Sequence, residues 1–521
     1  MPHHRAVDAP EDSVDVAILG GGLAGNLLAR QLRLEVPSAT VAVYERAESR
    51  GWKVGEATVE IAANYFVRRL HLANYLYERQ LPKNGLRFFF DDESRSLPLT
   101  EMSELGPDAL PLWPSFQLDR ARLETDLIEM NRSMGVDVEL GAAVRDLVLD
   151  EADGLHHFVV EQAGSRRGVR ARWVVDASGR ASIIARQRSL HVPTGHDTTA
   201  AWARFRGVAD MDAIDAPAWR ARVRHTARFL STVHFCYAGY WIWFIPLAEG
   251  VTSVGVVAER SRVSDSVRTE AGFRAFLAEH RAVRDLLEGA ELLDFGSYKQ
   301  LAYGTKRFFS PARWATVGDA AAFTDPFYSP GSDFIAVEND FVADLIRRDL
   351  GGEAPASWRE RLDTYEAFMQ HRFEATLLLY ENQYDYLGSY DLMRAKLVFD
   401  LAGYYNHWLR PYVLDDYRDL SVLDRILADR TQTLEVMRTF RGWLEKAHAA
   451  LTGRGAYAAH NRGEFTVEFA EFVPFARDLG ARISPERAAE HTTWLFGTSF
   501  AMAKDLVRST RRPESVERAT R

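Results

Sequence analysis

The stretch "VDVAILGGGLAGNLLARQL", residues 14–32, restricts the fold of this chain more than any other. Val14, Val16 and Ile18 belong to the near-continuous apolar run of a buried parallel strand. Leu23, Leu27, Leu28 and Leu32 then recur at helical spacing and supply the face that packs back on the sheet. Between the two lies GxGxxG, made by Gly20, Gly22 and Gly25. In such a strand–turn–helix unit the first glycine permits a tight turn and the second lets backbone approach a pyrophosphate. The third lets helix and strand pack closely. The helix N-terminus, at Leu23 and Ala24, turns unpaired N–H groups and a partial positive charge toward phosphate. Pro37 stops the helix and "TVAVYER" forms a second strand. Glu45, followed by Arg46, stands at its end, where a ribose-binding carboxylate belongs. A glycine-rich turn with no ligand is the plain alternative. The ordered succession of strand, glycines, helix, strand and glutamate weighs against it.

That succession fits NAD or FAD, and later segments discriminate. In "RWATVGDAAAFTDPFYSPG" an apolar strand ends at Val317, and Gly318–Asp319 makes a sharp turn before a small-residue helix start. An aspartate there can accept from a ribityl or ribose hydroxyl, while helix N–H groups face phosphate or the flavin ring. "ARWVVDASGR" is another apolar strand, ending in Asp176 and Gly179, and "FQLDRARLE" carries Gln117 and Arg120. In this order the elements resemble the FAD-binding fold of aromatic hydroxylases and their relatives, over roughly residues 14–350. The resemblance implies FAD rather than NAD. It makes Gly20, Gly22, Leu23, Ala24, Gly25, Glu45, Arg46, Gln117, Arg120, Asp176, Gly318 and Asp319 the expected cofactor-binding residues.

The expected fold class is therefore α/β. A discontinuous Rossmann-like FAD-binding unit (about 14–80, 116–200 and 300–350) is interleaved with strand-rich substrate segments (about 81–115 and 201–299). "LRFFF", "AAWARFRGVA", "VHFCYAGYWIWFIPL" and "TSVGVVA" supply a second, largely antiparallel sheet. After the linker "GGEAPASW", amphipathic patterns predict a helical substrate lid over about 358–510, with tails at 1–13 and 511–521. The 521 residues are 47% hydrophobic, enough for a large core. A net charge of −9 with both signs mixed offers no basic field to nucleic acid. The single cysteine, Cys236, excludes an internal disulfide or a CxxC centre. No histidine pair has metal-ligand spacing, so no metal is expected. No signal-like segment or apolar run of about 20 residues occurs, which predicts a cytoplasmic protein outside the membrane.

In "YWIWFIP", Tyr240, Ile242 and Phe244 point one way and Trp241, Trp243 and Ile245 the other, so the strand must be buried on both faces. Pro246 ends it. A sandwiched core strand is one reading, and a dry wall beside a reactive flavin is the other. Here the residues resemble the WxWxIP signature of flavin-dependent halogenases. That likeness implies an enzyme supplied with FADH2 by a separate flavin reductase, which lets the flavin meet O2. Chloride or bromide then attacks a flavin hydroperoxide to give hypohalous acid, and Trp241, Trp243, Ile245 and Pro246 wall off the tunnel through which it travels to a lysine.

"GWKVGEATVE" supplies a KxGE segment that matches the family's lysine motif, which makes Lys53 the expected catalytic residue. In an apolar pocket its ammonium would polarise HOCl, or its amine would form a chloramine; burial leaves both open. A helix is expected to start at about Glu56. That residue either pairs with Lys53 and assists proton removal, or is an acidic residue favoured at a helix N-terminus. The halide in this family is held by backbone N–H groups of the loop reading "DPFYSPG". Pro330 has none, which leaves Gly331 and Ser332. Tyr328 stands where members acting on free tryptophan carry a glutamate. The resemblance therefore implies an electron-rich phenol or pyrrole as substrate, free or tethered to a carrier protein, in secondary metabolism. His234 is expected to be a satisfied core histidine. The competing readings are a single-component FAD-dependent aromatic hydroxylase and a flavin-binding module without chemistry.

Overall fold

Parallel strands run side by side in the order Trp314–Thr316, Ser165–Asp176, Asp12–Leu19, Val41–Glu45 and Asp137–Leu140. The computed structural model describes residues 12–151, 155–467 and 478–508. Leu19 lies opposite both Tyr44 and Asp176, so the carboxyl ends of the three central strands meet at one edge of the sheet. In an open α/β sheet that edge is where ligands bind. Central strand residues such as Val16, Ile18, Val43 and Val175 are at most 0% exposed because helices cover the sheet. Helix Leu23–Glu35 packs against helices Arg120–Ser133 and Gly331–Leu350. The hairpin Ala143–Val148 and His156–Gln162 adds antiparallel strands at the side of Ser165–Asp176.

The second sheet has eight strands: Glu291–Tyr298, Thr198–Arg206, Val251–Glu259, Tyr240–Pro246, Thr232–Tyr237, Leu86–Phe90, Ser103–Gly106 and Phe465–Val467. It is antiparallel except where Thr232–Tyr237 meets Leu86–Phe90 and where Ser103–Gly106 meets Phe465–Val467. Alternation along the aromatic strand is as the pattern requires. Trp241, Trp243 and Ile245 enter the large core shared with the nucleotide-binding unit, while Tyr240, Ile242 and Phe244 enter a separate core under helix Glu270–Ala278. Trp243 lies directly across from Gly255, where a Cβ would stand 2.2 Å from its ring. The indole needs that glycine.

Beyond residue 350 the chain is mainly helical, with helices Pro355–Leu378, Tyr390–Gly403, Arg430–Gly453 and Pro485–Arg508. Among the described residues, one element there is not a helix: Phe465–Val467 joins the second sheet, so this region is stitched to that sheet. Of the expected N-terminal tail, residues 12 and 13 belong instead to the first strand, where they pair with Val169 and Arg170. The rest of that tail and residues 511–521 lie outside the described residues. Among the described residues, no helix is long and apolar enough to cross a membrane.

Candidate active site

The glycine motif divides its labour by position. Gly20 has φ +114°, and a Cβ on it would lie 2.5 Å from the Ala177 carbonyl oxygen. A Cβ on Gly25 would lie 2.0 Å from the Gly20 carbonyl oxygen, so this position is closed to any side chain. Gly22 is different: its Cβ would meet only Lys53 Nζ, at 3.8 Å, which leaves an open approach to the helix N-terminus at Leu23 and Ala24. Glu45 Oε2 accepts from Gly21 N–H and Oε1 from Ala47 N–H, both at 2.8 Å. Burial raises the Glu45 carboxyl, but Arg50 and these N–H groups outweigh burial and hold it below the usual carboxylate range. Gly318, with φ +59°, packs against Ala24, and Asp319 follows it at the same edge. Burial raises the Asp319 carboxyl against the opposing fields of Arg180 and Arg120. An open glycine, a charged carboxylate at the second strand's end and two apposed turns fit the adenosine and pyrophosphate of a dinucleotide. Arg46 is exposed beside Glu45.

Two expected cofactor residues have other work. Asp176 is fully buried, with Oδ1 accepting from Ser178 N–H (3.0 Å) and Oδ2 from Ile184 N–H (2.7 Å). It ties down the turn before helix Ile183–Gln187 rather than facing a ligand, and burial raises its carboxyl to about 6. Gln117 is also fully buried and donates to Thr232 Oγ1 (3.1 Å) in the second sheet. Arg120 does reach the cleft. It donates to the Val54 carbonyl (2.9 Å) and pairs with Glu124, beneath Gly55 at φ +91°.

Lys53 belongs to the dinucleotide cleft, not to an apolar pocket. Its side chain is 43% exposed, and its Nζ binds buried Glu124 at 2.8 Å beside Gly22. Glu56 neither pairs with Lys53 nor starts a helix; the helix begins at Glu60. Its buried carboxylate meets Arg204 at 2.9 Å, and Arg204 also binds Asp294 at 3.1 Å. Burial raises the Glu56 carboxyl, with Arg204 and the Ser253 hydroxyl opposing the rise. Ser253 in turn accepts from Trp243 Nε1 (3.2 Å), so Glu56 braces the lysine loop against the aromatic strand.

A cavity of about 440 Å³ opens between the nucleotide-binding unit and the C-terminal helices. The lysine in its wall is Lys83, 2% exposed, whose Nζ donates to the Thr58 carbonyl at 2.8 Å. The same wall carries Glu60, Asp333 and Asp400, together with Tyr328, Tyr404 and Tyr405. Tyr328 donates to Asp400 Oδ2 (2.7 Å), which Lys396 also pairs (2.7 Å). Asp333 accepts from Ala62 N–H (2.8 Å) and Tyr404 Oη (3.0 Å), and burial pushes its carboxyl up to about 7 against Arg372. Trp241, Trp243, Ile245 and Pro246 do not line this cavity. Trp241 stands one layer behind, packed edge-on against Phe327 (5.1 Å between centroids), the neighbour of Tyr328. His234 is a satisfied core histidine, stacked on Phe88 at 4.8 Å, with Nε2 3.0 Å from the Phe327 carbonyl. Burial, aided by Lys83, lowers its pKa to about 3. Gly331 and Ser332 open helix Gly331–Leu350, and the buried Ser332 hydroxyl has no hydrogen-bond partner among the described residues.

The sequence reading passed over Lys83. Its signal was a lysine in "LPKNG", separated by two residues from the phenylalanine-rich strand Leu86–Phe90, which is buried along its whole length and draws its neighbours inward. Glu60, Asp333 and Asp400 had no comparable signal, because helices distant in sequence gather them.

Residues 13–374 match the FAD binding domain family, and the chain belongs to it. Its relatives narrow the class. The flavin-dependent halogenase chlA of Dictyostelium discoideum is 29% identical over 482 residues, covering 86% of this chain and 79% of that protein. The 1H-pyrrole-2-carbonyl-peptidyl-carrier-protein chlorinase of Pseudomonas fluorescens is 25% identical over 336 residues, 61% of this chain and 72% of that one. Among solved structures, halogenase PltM in complex with phloroglucinol and FAD shares the fold. It superposes with a TM-score of 0.70 at 17% identity, over 94% of this chain and 96% of that chain. The protein is a flavin-dependent halogenase, a reading these relatives favour over an aromatic hydroxylase.

Proposed function

We propose that this halogenase places chlorine or bromine on an electron-rich aromatic ring, phenolic before pyrrolic, with Lys83 as the residue that presents the oxidant. The observation that carries this reading is a buried lysine, Lys83, in the wall of a cavity that combines apolar side chains such as Leu86, Phe334 and Trp408 with tyrosines and carboxylates. PltM, which shares the fold, was solved with phloroglucinol, and a relative acts on a carrier-bound pyrrole. Bound as FADH2, the flavin supplies the reducing electrons with which O2 oxidises halide to hypohalous acid. FADH2 is delivered by a separate flavin reductase, in a cytoplasm whose reducing conditions suit a lone buried cysteine.

The chain's own groups do the rest. Gly22, Glu45, Arg120, Gly318 and Asp319 hold the dinucleotide, and Lys53 offers its ammonium to the phosphates beside Gly22. Gly331 and Ser332 present first-turn N–H groups and a hydroxyl to halide. Lys83, held by Thr58, donates a hydrogen bond to the oxygen of the hypohalous acid, which makes the halogen more electrophilic. The aromatic packing behind Tyr328 keeps water from the oxidant.

The test supplies purified protein with FAD, a flavin reductase, NADH, halide and a panel of phenols and pyrroles, read by mass spectrometry. A halogen isotope pattern that follows the halide supplied is expected. A gain of one oxygen independent of halide would overturn the reading.

A further inference from the structure

Halogenating a phenol requires a base as well as an electrophile, because the ring becomes strongly nucleophilic only as its hydroxyl proton leaves. Of the four carboxylates in the cavity wall, Asp429 is exposed to solvent, and their partners separate the other three, Glu60, Asp333 and Asp400. Asp333 is pinned on both oxygens, by Ala62 N–H and by Tyr404, with Arg372 3.7 Å away. Asp400 is committed to Lys396 and Tyr328. Glu60 accepts from Tyr405 Oη on Oε1 (2.7 Å), with Tyr404 and its own N–H also in reach, and unlike the other two it has no ion-pair partner among the described residues. It also lies two residues from Thr58, whose carbonyl holds Lys83, and it feels the lysine's field.

We infer that Glu60 is the proton acceptor for the substrate hydroxyl, an assignment that rests on the phenol halogenase reading above. The phenol donates to Glu60 Oε2 while Lys83 holds the hypohalous acid. Glu60 takes the phenolic proton as the ring carbon attacks halogen. The carbon–halogen bond forms, the halogen–oxygen bond breaks, and the departing hydroxide takes a proton from the Lys83 ammonium to leave as water. The resulting cyclohexadienone gives its ring proton to the Lys83 amine and recovers the oxygen-bound proton from Glu60. The products are halophenol and water, with both side chains restored. Burial raises the Glu60 carboxyl toward the range of a working base, while Tyr405, Lys83 and Tyr404 hold it back.

The test compares Glu60→Gln with wild type on two phenols: one neutral at the assay pH, and one with electron-withdrawing substituents that is already ionised there. Trapping of hypohalous acid by a diffusible scavenger is measured in parallel. Expected is a loss of about 100-fold in kcat for the neutral phenol. For the ionised phenol the change should stay within about 3-fold, with trapped oxidant unchanged. Equal loss on both phenols, or no loss, overturns the assignment, as does the selective pattern appearing in Asp333→Asn or Asp400→Asn instead. Should Glu60→Gln fail to fold, Tyr405→Phe serves. Without that hydroxyl the Glu60 carboxyl rises, so the acid limb of the kcat profile for the neutral phenol moves to higher pH. The groups facing Glu60 are Lys83, Tyr404, Tyr405 and the Asp333–Arg372 pair; an unmoved acid limb overturns the assignment. If wild type traps oxidant but halogenates pyrroles and no phenol, the phenol reading itself fails and the assignment falls with it.

Discussion

Lys53 and Lys83 stand in very different surroundings, and on that ground we propose different tasks for them. Lys53 is half in water and reaches across to Glu124 at the glycine loop. Lys83 is buried, with a backbone carbonyl as its hydrogen-bond acceptor and a cavity at its head. Lys53→Ala is expected to weaken FAD binding by about tenfold, the worth of one charge-assisted hydrogen bond, as measured by flavin fluorescence titration. Halogenation should then recover at saturating flavin. Glu338 offers a second test at this scale. Burial raises its carboxyl to about 8, against the Gly318 N–H that it accepts and with the nearby Asp319 adding to the rise. Between the ordinary glutamate value and about 8, the folded chain holds a proton that the unfolded chain has lost. That contribution to stability is complete at acid pH and disappears as pH rises through about 8, with a slope of at most about 1.4 kcal/mol per pH unit. Glu338→Gln should flatten the fall in melting temperature between pH 6 and 9; an unchanged slope would place the titrating group elsewhere.

The aromatic strand is the element most legible in the sequence. Its two-residue period placed Trp241 and Trp243 in one core and Tyr240 and Phe244 in another, because a strand's geometry depends only on alternation. Which of those cores meets the substrate was not legible. That depends on Phe327 and Tyr328, contributed by a loop more than 80 residues away, which come between the indoles and the cavity. The register against Val251–Glu259 carries its own prediction. Gly255→Ala puts a methyl group into the Trp243 ring, and overpacking of this kind costs about 1–3 kcal/mol. Chemical denaturation should show that loss together with a changed tryptophan emission. A variant as stable as wild type would mean that the indole has room to turn aside.

At the scale of the whole molecule, the nucleotide-binding edge could be read from a few glycines and strand ends because its determinants are local. The cavity proposed to take the substrate could not, since its wall joins the lysine ahead of Leu86–Phe90 to carboxylates on helices Gly331–Leu350 and Tyr390–Gly403. The same long-range assembly explains why a local motif pointed to Lys53 while the lysine in the cavity wall, Lys83, had no motif to mark it. Besides strand Phe465–Val467, a buried side chain helps fasten the C-terminal region to the second sheet: Asn461 donates to the Asp91 carbonyl (2.7 Å) and the Gly388 carbonyl (2.8 Å) and accepts from Tyr390 N–H (3.0 Å). Asn461→Ala strands those buried groups at about 1–3 kcal/mol each. It is expected to raise KM for the aromatic substrate while leaving FAD affinity unchanged; a parallel loss of FAD affinity would show that the two regions do not respond separately.

The most direct measurement is product formation by Lys83→Ala and Lys53→Ala beside wild type, with saturating FAD, a reductase and halide. Halogenated product should fall by at least about 100-fold in Lys83→Ala while its reduced flavin still consumes O2. Lys53→Ala should hold near the wild-type rate. Abolished halogenation in Lys53→Ala at saturating flavin, with Lys83→Ala still active, would contradict the assignment of the oxidant-presenting role to Lys83.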